Sequence, residues 1–494
     1  MTMPPSNNGN TQEKISSSAW KTLAILSLIA TMVMYAETML IPAIPDLIKD
    51  FHISYSTSSW ILTTYLIAGA IMTPITGKLS DIYGRKKVLL IIMTIYVIGV
   101  SLGGFVTNIY EMLLVRIIQG IGMSMFPIAF GIIRELFPRN KIAIGQGIIS
   151  SMFATGAVIG LVSGGHLIQN FGWQATFFSI IPISIALLVI IARFIHVKEL
   201  HLHANNEKIG EAGNNSRNKI DIQGAIALTV SVSAFLMALT MVENGDDSNS
   251  FAMMGLIVIG VVYLILFAII EKRSSSPLVS MKILANKTIL PANIMIMIVG
   301  MSMFMVFQTI PVLVRSPSPL GFGEDPLMTS NVQLPFAIVL LIFGPTSGFI
   351  VSKLGSTKPI ILGSIISTIG FMGLYTYHST EFLVSANLAI LSTGLSLTNV
   401  GAMNVIMLTS PRKDIGVSLG MSTLIRILGA SVGPAIAGMY MQTHKTTLTG
   451  IAGTFPTPDS YNLIFFTAAL ISCVSIGLSL ALRRQLVKFP IQEN

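Results

Sequence analysis

Fourteen stretches of this chain are each about twenty residues long or longer and nearly free of charge, and a helix of that length spans a bilayer core about 30 Å thick. They lie near residues 20–46, 59–77, 88–107, 110–133, 142–168, 174–195, 222–243, 251–271, 288–314, 328–352, 359–378, 382–409, 415–441 and 460–482. The runs are continuous rather than alternating. Lipid satisfies no backbone polar group, so only helices and closed barrels cross it, and continuous runs choose helices. The expected fold class is an all-α membrane protein with 14 transmembrane helices. Composition excludes a soluble alternative. Of 494 residues, 52% are hydrophobic and 10% charged, where a soluble chain carries about 25% charge. The single cysteine, Cys473, rules out an intramolecular disulfide and any cysteine-built zinc or iron–sulfur site.

The first stretch contains Glu37 and lacks a following small-residue cleavage site, so it is read as a span and not a removed signal. An even number of spans puts both termini on one side. With that side cytoplasmic, 25 of the 30 Lys and Arg residues flank the spans inside and three, Lys49, Arg315 and Lys445, lie outside. Arg116 and Arg426 remain within spans. This asymmetry orients the chain in a plasma membrane with both termini in the cytoplasm. It also assigns the +9 charge to anionic inner-leaflet lipid rather than nucleic acid. Trp20, Trp60 and Trp173 fall at span ends, where interface anchors are expected. The longest hydrophilic stretch, 196–221, is too short for a domain. Its His196, His201 and His203 are read as part of a solvated linker, and no metal site is expected. No phosphate-cradling G-x-x-x-x-G-K-[ST] loop occurs, so ATP is not the expected energy source.

The chain repeats itself. Gly147, Gly156, Gly160, Gly164 and Gly165 recur 273 residues later as Gly420, Gly429, Gly433, Ala437 and Gly438. Gly77, Asp81 and Gly84 recur 271 residues later as Gly348, Ser352 and Gly355, and Glu37-Thr38 as Gln308-Thr309. Such internal repeats are typical of transporters. The implied organisation is a tail at 1–19, a six-helix bundle at 20–195, a linker at 196–221, two inserted helices at 222–271, a connector at 272–287, a second six-helix bundle at 288–482 and a tail at 483–494.

Several of these residues carry a family resemblance that covers the chain from about Trp20 to Arg484. Gly77-Lys-Leu-Ser-Asp81-Ile-Tyr-Gly84-Arg85-Lys86-Lys87, Leu113-Leu-Val-Arg116-Ile-Ile-Gln119-Gly120-Ile-Gly122 and the glycines from Gly147 to Gly165 resemble signatures of the major facilitator superfamily. Trp60-Ile-Leu-Thr-Thr-Tyr65-Leu, Asp221-Ile-Gln-Gly224 and Arg426-Ile-Leu-Gly429 are similar to its fourteen-spanner drug:proton antiporters. Two positions depart from the pattern. Leu161 follows Gly160 where the antiporter signature has proline, which stands only in the second copy, as Pro434. Glu37 is adjacent to Thr38, where that branch has one spacer between acid and threonine; this turns the carboxylate about 100° around the helix. The resemblance implies the major facilitator fold and alternating access, two bundles rocking around a central site.

Charges inside the bilayer cost about 2.5–3.5 kcal/mol each on the insertion scale and should face a cavity or a partner. There are three: Glu37, Arg116 and Arg426. Glu37 and Arg116 fall in the outer halves of spans one and four, which the resemblance sets side by side, and are expected to form or exchange a proton-coupling ion pair. Burial favours the neutral acid and a nearby guanidinium the carboxylate, and the balance lets a proton be taken up and released. Arg426 lies mid-span with no acid in the second-half spans, so it is expected to face the cavity with Glu37, Gln308 and Met34. Other methionines, such as Met39, Met301, Met303 and Met305, are more often packing residues than pocket lining. The resemblance assigns gating to Gly77, Asp81, Gly84, Arg85 and Lys86 at the inner surface. Gly156, Gly160, Gly164, Gly429 and Gly433, with Pro434, are expected to give close helix contact between the halves.

The expected function is that of a monomeric antiporter, not an enzyme: inward-moving protons drive a lipophilic or cationic compound outward, without a cofactor. Two alternatives are a narrow-specificity exporter or facilitator of a metabolite or an anion held by Arg426, and a membrane sensor or structural protein. The second is disfavoured by the complete two-half architecture.

Overall fold

The computed structural model describes residues 15–138, 142–195, 221–241, 247–274, 277, 279–355, 357–410 and 415–488. The first half comprises α1 (Ser17–Thr38), α2 (Ile44–Asp50), α3 (Tyr55–Tyr83), α4 (Arg85–Gly103), α5 (Ile109–Gly120), α6 (Met125–Leu136), α7 (Ile142–Phe171) and α8 (Gln174–Phe194). Next come α9 (Ile222–Met241), α10 (Asp247–Arg273) and the one-turn α11 (Met281–Leu284). The second half comprises α12 (Ile289–Arg315), α13 (Pro326–Leu354), α14 (Thr357–Thr376), α15 (Glu381–Thr409), α16 (Ile415–Thr443) and α17 (Pro458–Lys488). Among the described residues twelve helices are long and apolar enough to cross a membrane. At the two other expected positions stand α7, a 30-residue helix, and α9, a 20-residue one. Successive rods alternate in direction, so α1 begins and α17 ends at one face, the tail face; the opposite end is the far face.

Local chemistry explains the breaks. Rod one is interrupted just past Glu37: Pro42 and Pro45 lack the N–H a continuing helix needs, and the 3-10 turn Ile41–Ala43 links α1 to α2. Rod four is interrupted past Gln119 by the 3-10 segment Ile121–Ser124. There Gly120 and Gly122 have no room for a Cβ against the Tyr65 carbonyl and the Tyr96 ring. Gly84, at φ 93°, provides the left-handed joint between α3 and α4. Asn108 caps α5, accepting the Glu111 N–H at 3.0 Å, and Asp221 caps α9, accepting the Gly224 N–H at 2.7 Å. The capping geometry gives the Asp221-Ile-Gln-Gly224 motif a physical role.

Glycine rows set the helix pairs, though not the pairs expected. Gly156, Gly160 and Gly164 on α7 lie against the α1 backbone at Thr31, Tyr35 and Met39. Gly429 and Gly433 on α16 lie against α12 at Met297 and Met301. These are contacts within each half, tight enough that no side chain fits between backbones. Thr31 and Thr38 add to them by donating to the α7 carbonyls of Met152 and Ala157. Pro434 is buried inside α16 beside them. Contact between halves falls instead to the next members of the rows. Gly165 meets α13 at Pro326 and Ser330, and Gly438 meets α3 at Tyr55, Ser56 and Ser59.

The contacts also correct the repeat register. Thr31 corresponds to Met297 and Tyr35 to Met301, so the counterpart of Glu37 is Met303, not Gln308. The offset that aligns Glu37-Thr38 with Gln308-Thr309 in the sequence is therefore not the one the backbone contacts of the first spans follow.

Helices α9 and α10 pack on each other, with the Ser231 hydroxyl donating to the Gly260 carbonyl at 2.9 Å. Helix α9 leans on both halves through Trp60, Ile67, Leu236 and Ala435, while α10 is largely exposed. Two tryptophans are not the lipid-facing anchors expected. Trp60 lies in that seam, and Trp173 is buried, its ring N–H donating to Asp50 at 2.9 Å. Only Trp20, 45% exposed, stands at an open helix end. The chain is also not purely helical: β1 (Lys445–Leu448) and β2 (Ile451–Pro456) form an antiparallel hairpin between α16 and α17. The histidines of the 196–221 linker lie outside the described residues.

Candidate functional site

Glu37 ends the straight part of α1, and the Pro-induced break leaves its carboxylate on the seam between halves. The side chain is 1% exposed, and neither carboxylate oxygen has a hydrogen-bond partner. It lines a cavity with Met34, Leu66, Met123, Met303 and Phe304, and with Arg426 from α16. The space is ≈ 10 Å³, room for about one water molecule. Among the described residues Arg426 has no hydrogen bond or ion pair, although it shares the cavity with Glu37. Of the methionines considered above, Met34 and Met303 line this space. Met39, Met301 and Met305 are buried, with their backbones packed against Gly164 and Gly433.

Arg116 is the largest fully buried side chain, 0% exposed. Its Nε donates to the Ile61 carbonyl at 2.9 Å and its Nη1 to the Gln119 amide oxygen at 3.2 Å. The guanidinium lies 4.4 Å from the centroid of the Tyr65 ring. The expected ion pair with Glu37 is absent in this conformation: Nε and Nη1 of Arg116 turn to a carbonyl and an amide and its plane to an aromatic face, while Nη2 has no hydrogen-bond partner.

Gln308 is not on the cavity wall. It is fully buried nearer the far face, where its amide donates to the Ser58 hydroxyl across the two halves at 2.8 Å. It belongs to a seam that sequence reasoning did not identify. Arg315 at the end of α12 holds Asp46 of α2 in a two-point ion pair, at 2.8 and 2.6 Å. Gln442 accepts the Tyr55 N–H at 3.1 Å, and the Tyr55 hydroxyl donates to Thr454 in the hairpin at 3.0 Å. Gln169 donates to Asp325 at 2.8 Å, and Thr63 to the Ser431 carbonyl at 3.0 Å. All join one half to the other on the far side of Glu37, so the structure is closed at the far face. The available signal was Arg315 itself, one of three basic residues expected on that side, with Asp46 at the end of a neighbouring span.

At the tail face Gly77 packs on Pro127, and Arg85 pairs with Glu135 at 3.3 Å over Gly131. Lys86 donates to the Ala192 carbonyl at the end of α8 at 2.9 Å. These contacts of Arg85 and Lys86 run within the first half, not between halves as a gate would require. Asp81 lies in the last turns of α3, and its side chain lies outside the described residues.

Comparison with known proteins places this arrangement. Residues 26–434 match the family profile of the Major Facilitator Superfamily. The chain is 27% identical over 441 residues to multidrug resistance protein 3 of Bacillus subtilis, covering 86% of this chain and 80% of that protein. It is 25% identical over 433 residues to the multidrug transporter protein MdtP of the same organism, covering 87% and 76%. It is 24% identical over 428 residues to the tetracenomycin C resistance and export protein of Streptomyces glaucescens, covering 85% and 76%. Among solved structures it resembles a bacterial homologue of the human lysosomal transporter Spinster, with TM-score 0.64 at 14% identity, covering 96% and 98%. A two-half helical fold, an apolar cavity with buried charges between the halves and a profile match over most of the length agree: the chain belongs to the Major Facilitator Superfamily, a family of multi-pass membrane transporters of small molecules and not of enzymes.

Proposed function

We propose that the chain crosses the plasma membrane fourteen times, α7 and α9 included, with its termini in the cytoplasm. In this reading it exports lipophilic, including cationic, compounds in exchange for protons by alternating access. The observation that carries the reading is Glu37: a carboxyl group with both oxygens unpartnered, on the wall of a cavity between the halves. A group with no fixed partner can change protonation without breaking a structural bond. The names of the relatives support drug export, and the 25 to 3 asymmetry of basic residues supports the orientation. The far face is then the outside, and the closed seam separates Glu37 from external protons until the halves rock apart.

The test is transport by the purified protein in vesicles with an imposed pH gradient. Lipophilic dye accumulation should follow the gradient in the wild type. In Glu37→Gln it should fall to the level of protein-free vesicles while dye binding, though weaker, remains measurable. Gradient-driven accumulation unchanged in Glu37→Gln would overturn proton coupling at this residue. Arg426 on the same cavity favours a second reading, a facilitator of organic anions, and anion flux indifferent to the pH gradient would select it.

A further inference from the structure

The central cavity holds two unanswered charges of opposite sign. Glu37 has no hydrogen-bond partner at either oxygen, and Arg426 makes no hydrogen bond or ion pair among the described residues. Arg116 is already engaged by Ile61, Gln119 and Tyr65. Glu37 and Arg426 do not pair with each other because each is fixed to its own half. Helix α1 is clamped to α7 through Gly156, Gly160 and Gly164, and α16 to α12 through Gly429 and Gly433. Around them the wall is apolar, with Met34, Leu66, Met303 and Phe304.

A buried polar group without a partner costs free energy that a ligand recovers on binding. A permanent cation answers Glu37 alone, in a region holding two guanidinium groups and one carboxylate. A simple anion answers Arg426 alone and faces the Glu37 carboxylate. A head bearing both signs answers both, and its apolar body suits the wall. Building on the export reading above, we propose that the cavity selects lipophilic zwitterions and related donor–acceptor amphiphiles. The cationic or donor group sits on Glu37, and the anionic or acceptor group on Arg426. The closed cavity has room for about one water molecule, so such a ligand enters once the halves have moved apart; because these residues belong to opposite halves, its head then bridges α1 to α16, a bonus unavailable to a singly charged ligand.

Rhodamine B and its ethyl ester provide a matched pair. They share one lipophilic body, but the first is a zwitterion at neutral pH and the second a permanent cation. Binding is measured by fluorescence anisotropy on the full chain in lipid nanodiscs, without a gradient. The wild type should bind the zwitterion about tenfold more tightly or better. Arg426→Gln should abolish that preference by weakening the zwitterion, and Arg426→Lys, which keeps the charge, should retain it in the same direction. Glu37→Gln should weaken both dyes. Equal or tighter binding of the ester to the wild type, saturable binding of neither dye, or a preference that survives Arg426→Gln would overturn the proposal. The wild-type comparison decides even if a variant does not fold. Zwitterion preference without gradient-driven transport would remove proton coupling and leave this site standing; gradient-driven transport of the ester independent of Arg426 would do the reverse.

Discussion

Arg116 shows how a charge is kept within an apolar bundle. One nitrogen meets a backbone carbonyl, another a side-chain amide, and the guanidinium plane rests on an aromatic face. A lysine cannot reproduce this, since its point charge lacks the planar fork. Arg116→Ala leaves the Ile61 carbonyl and Gln119 without their donor in a buried site and should cost about 1–3 kcal/mol. Arg116→Lys should be intermediate. The check is the thermal midpoint of the detergent-solubilised protein, and a loss below about 1 kcal/mol for Arg116→Ala would contradict the buried network. Asp221→Ala should remove one helix cap for about 1 kcal/mol, since Gly224 loses its acceptor. The sequence made the three membrane charges conspicuous because charge is rare in apolar runs. It did not reveal that Arg116 faces Ile61 and Tyr65 rather than Glu37. Charge opposition suggests a pair, but the partner is decided by which backbone comes within reach, and that depends on packing between spans far apart in sequence.

At the scale of helices, glycines separate into those that are contacts and those that are not. Gly160 has α1 directly over it, at Thr38 and Tyr35, so Gly160→Val must force α1 from α7 and should abolish folded protein, read as loss of the monodisperse peak in size-exclusion chromatography. Gly255 on α10 has open space around its Cβ position, so Gly255→Ala should leave expression unchanged or raise the thermal midpoint slightly, by up to about 1 kcal/mol of helix propensity. A gain of function or stability in Gly160→Val would refute the clamp. Spacing at i, i+4 correctly placed the glycines on one face, because that follows from helix geometry alone. Which helix lies against that face is a tertiary fact. The same ambiguity explains why Gln308 was aligned with Glu37: two adjacent polar residues match by chance more easily than a series of backbone contacts. The hairpin between α16 and α17 has no clear sequence signal, since two short exposed strands carry little periodicity.

The whole molecule is closed on one side by a seam that includes the Asp46–Arg315 pair, partly buried and held at two points. Charge-assisted two-point pairs are stronger than ordinary surface pairs, so breaking this one should shift the population of closed molecules severalfold. Cys473 is the only cysteine, so a Cys473→Ser background carrying Met34→Cys reports access to the cavity. Adding Arg315→Gln should speed labelling of that thiol by a membrane-impermeant reagent from the far side by about two- to tenfold. Unchanged labelling would show that the remaining seam suffices. The two-half layout was readable because internal duplication survives in the glycines of the fifth spans. The conformational state was not readable, since one sequence encodes every state the molecule visits.

Gly165 and Gly438 sit near the far ends of α7 and α16, where the first meets the Ser330 side chain and the Pro326 carbonyl and the second the Tyr55 carbonyl of the opposite half. Joints this tight leave no slack to absorb a small shift, so they part together or not at all when the far face opens. A bulky side chain introduced at either one would wedge that face ajar without touching the binding chamber.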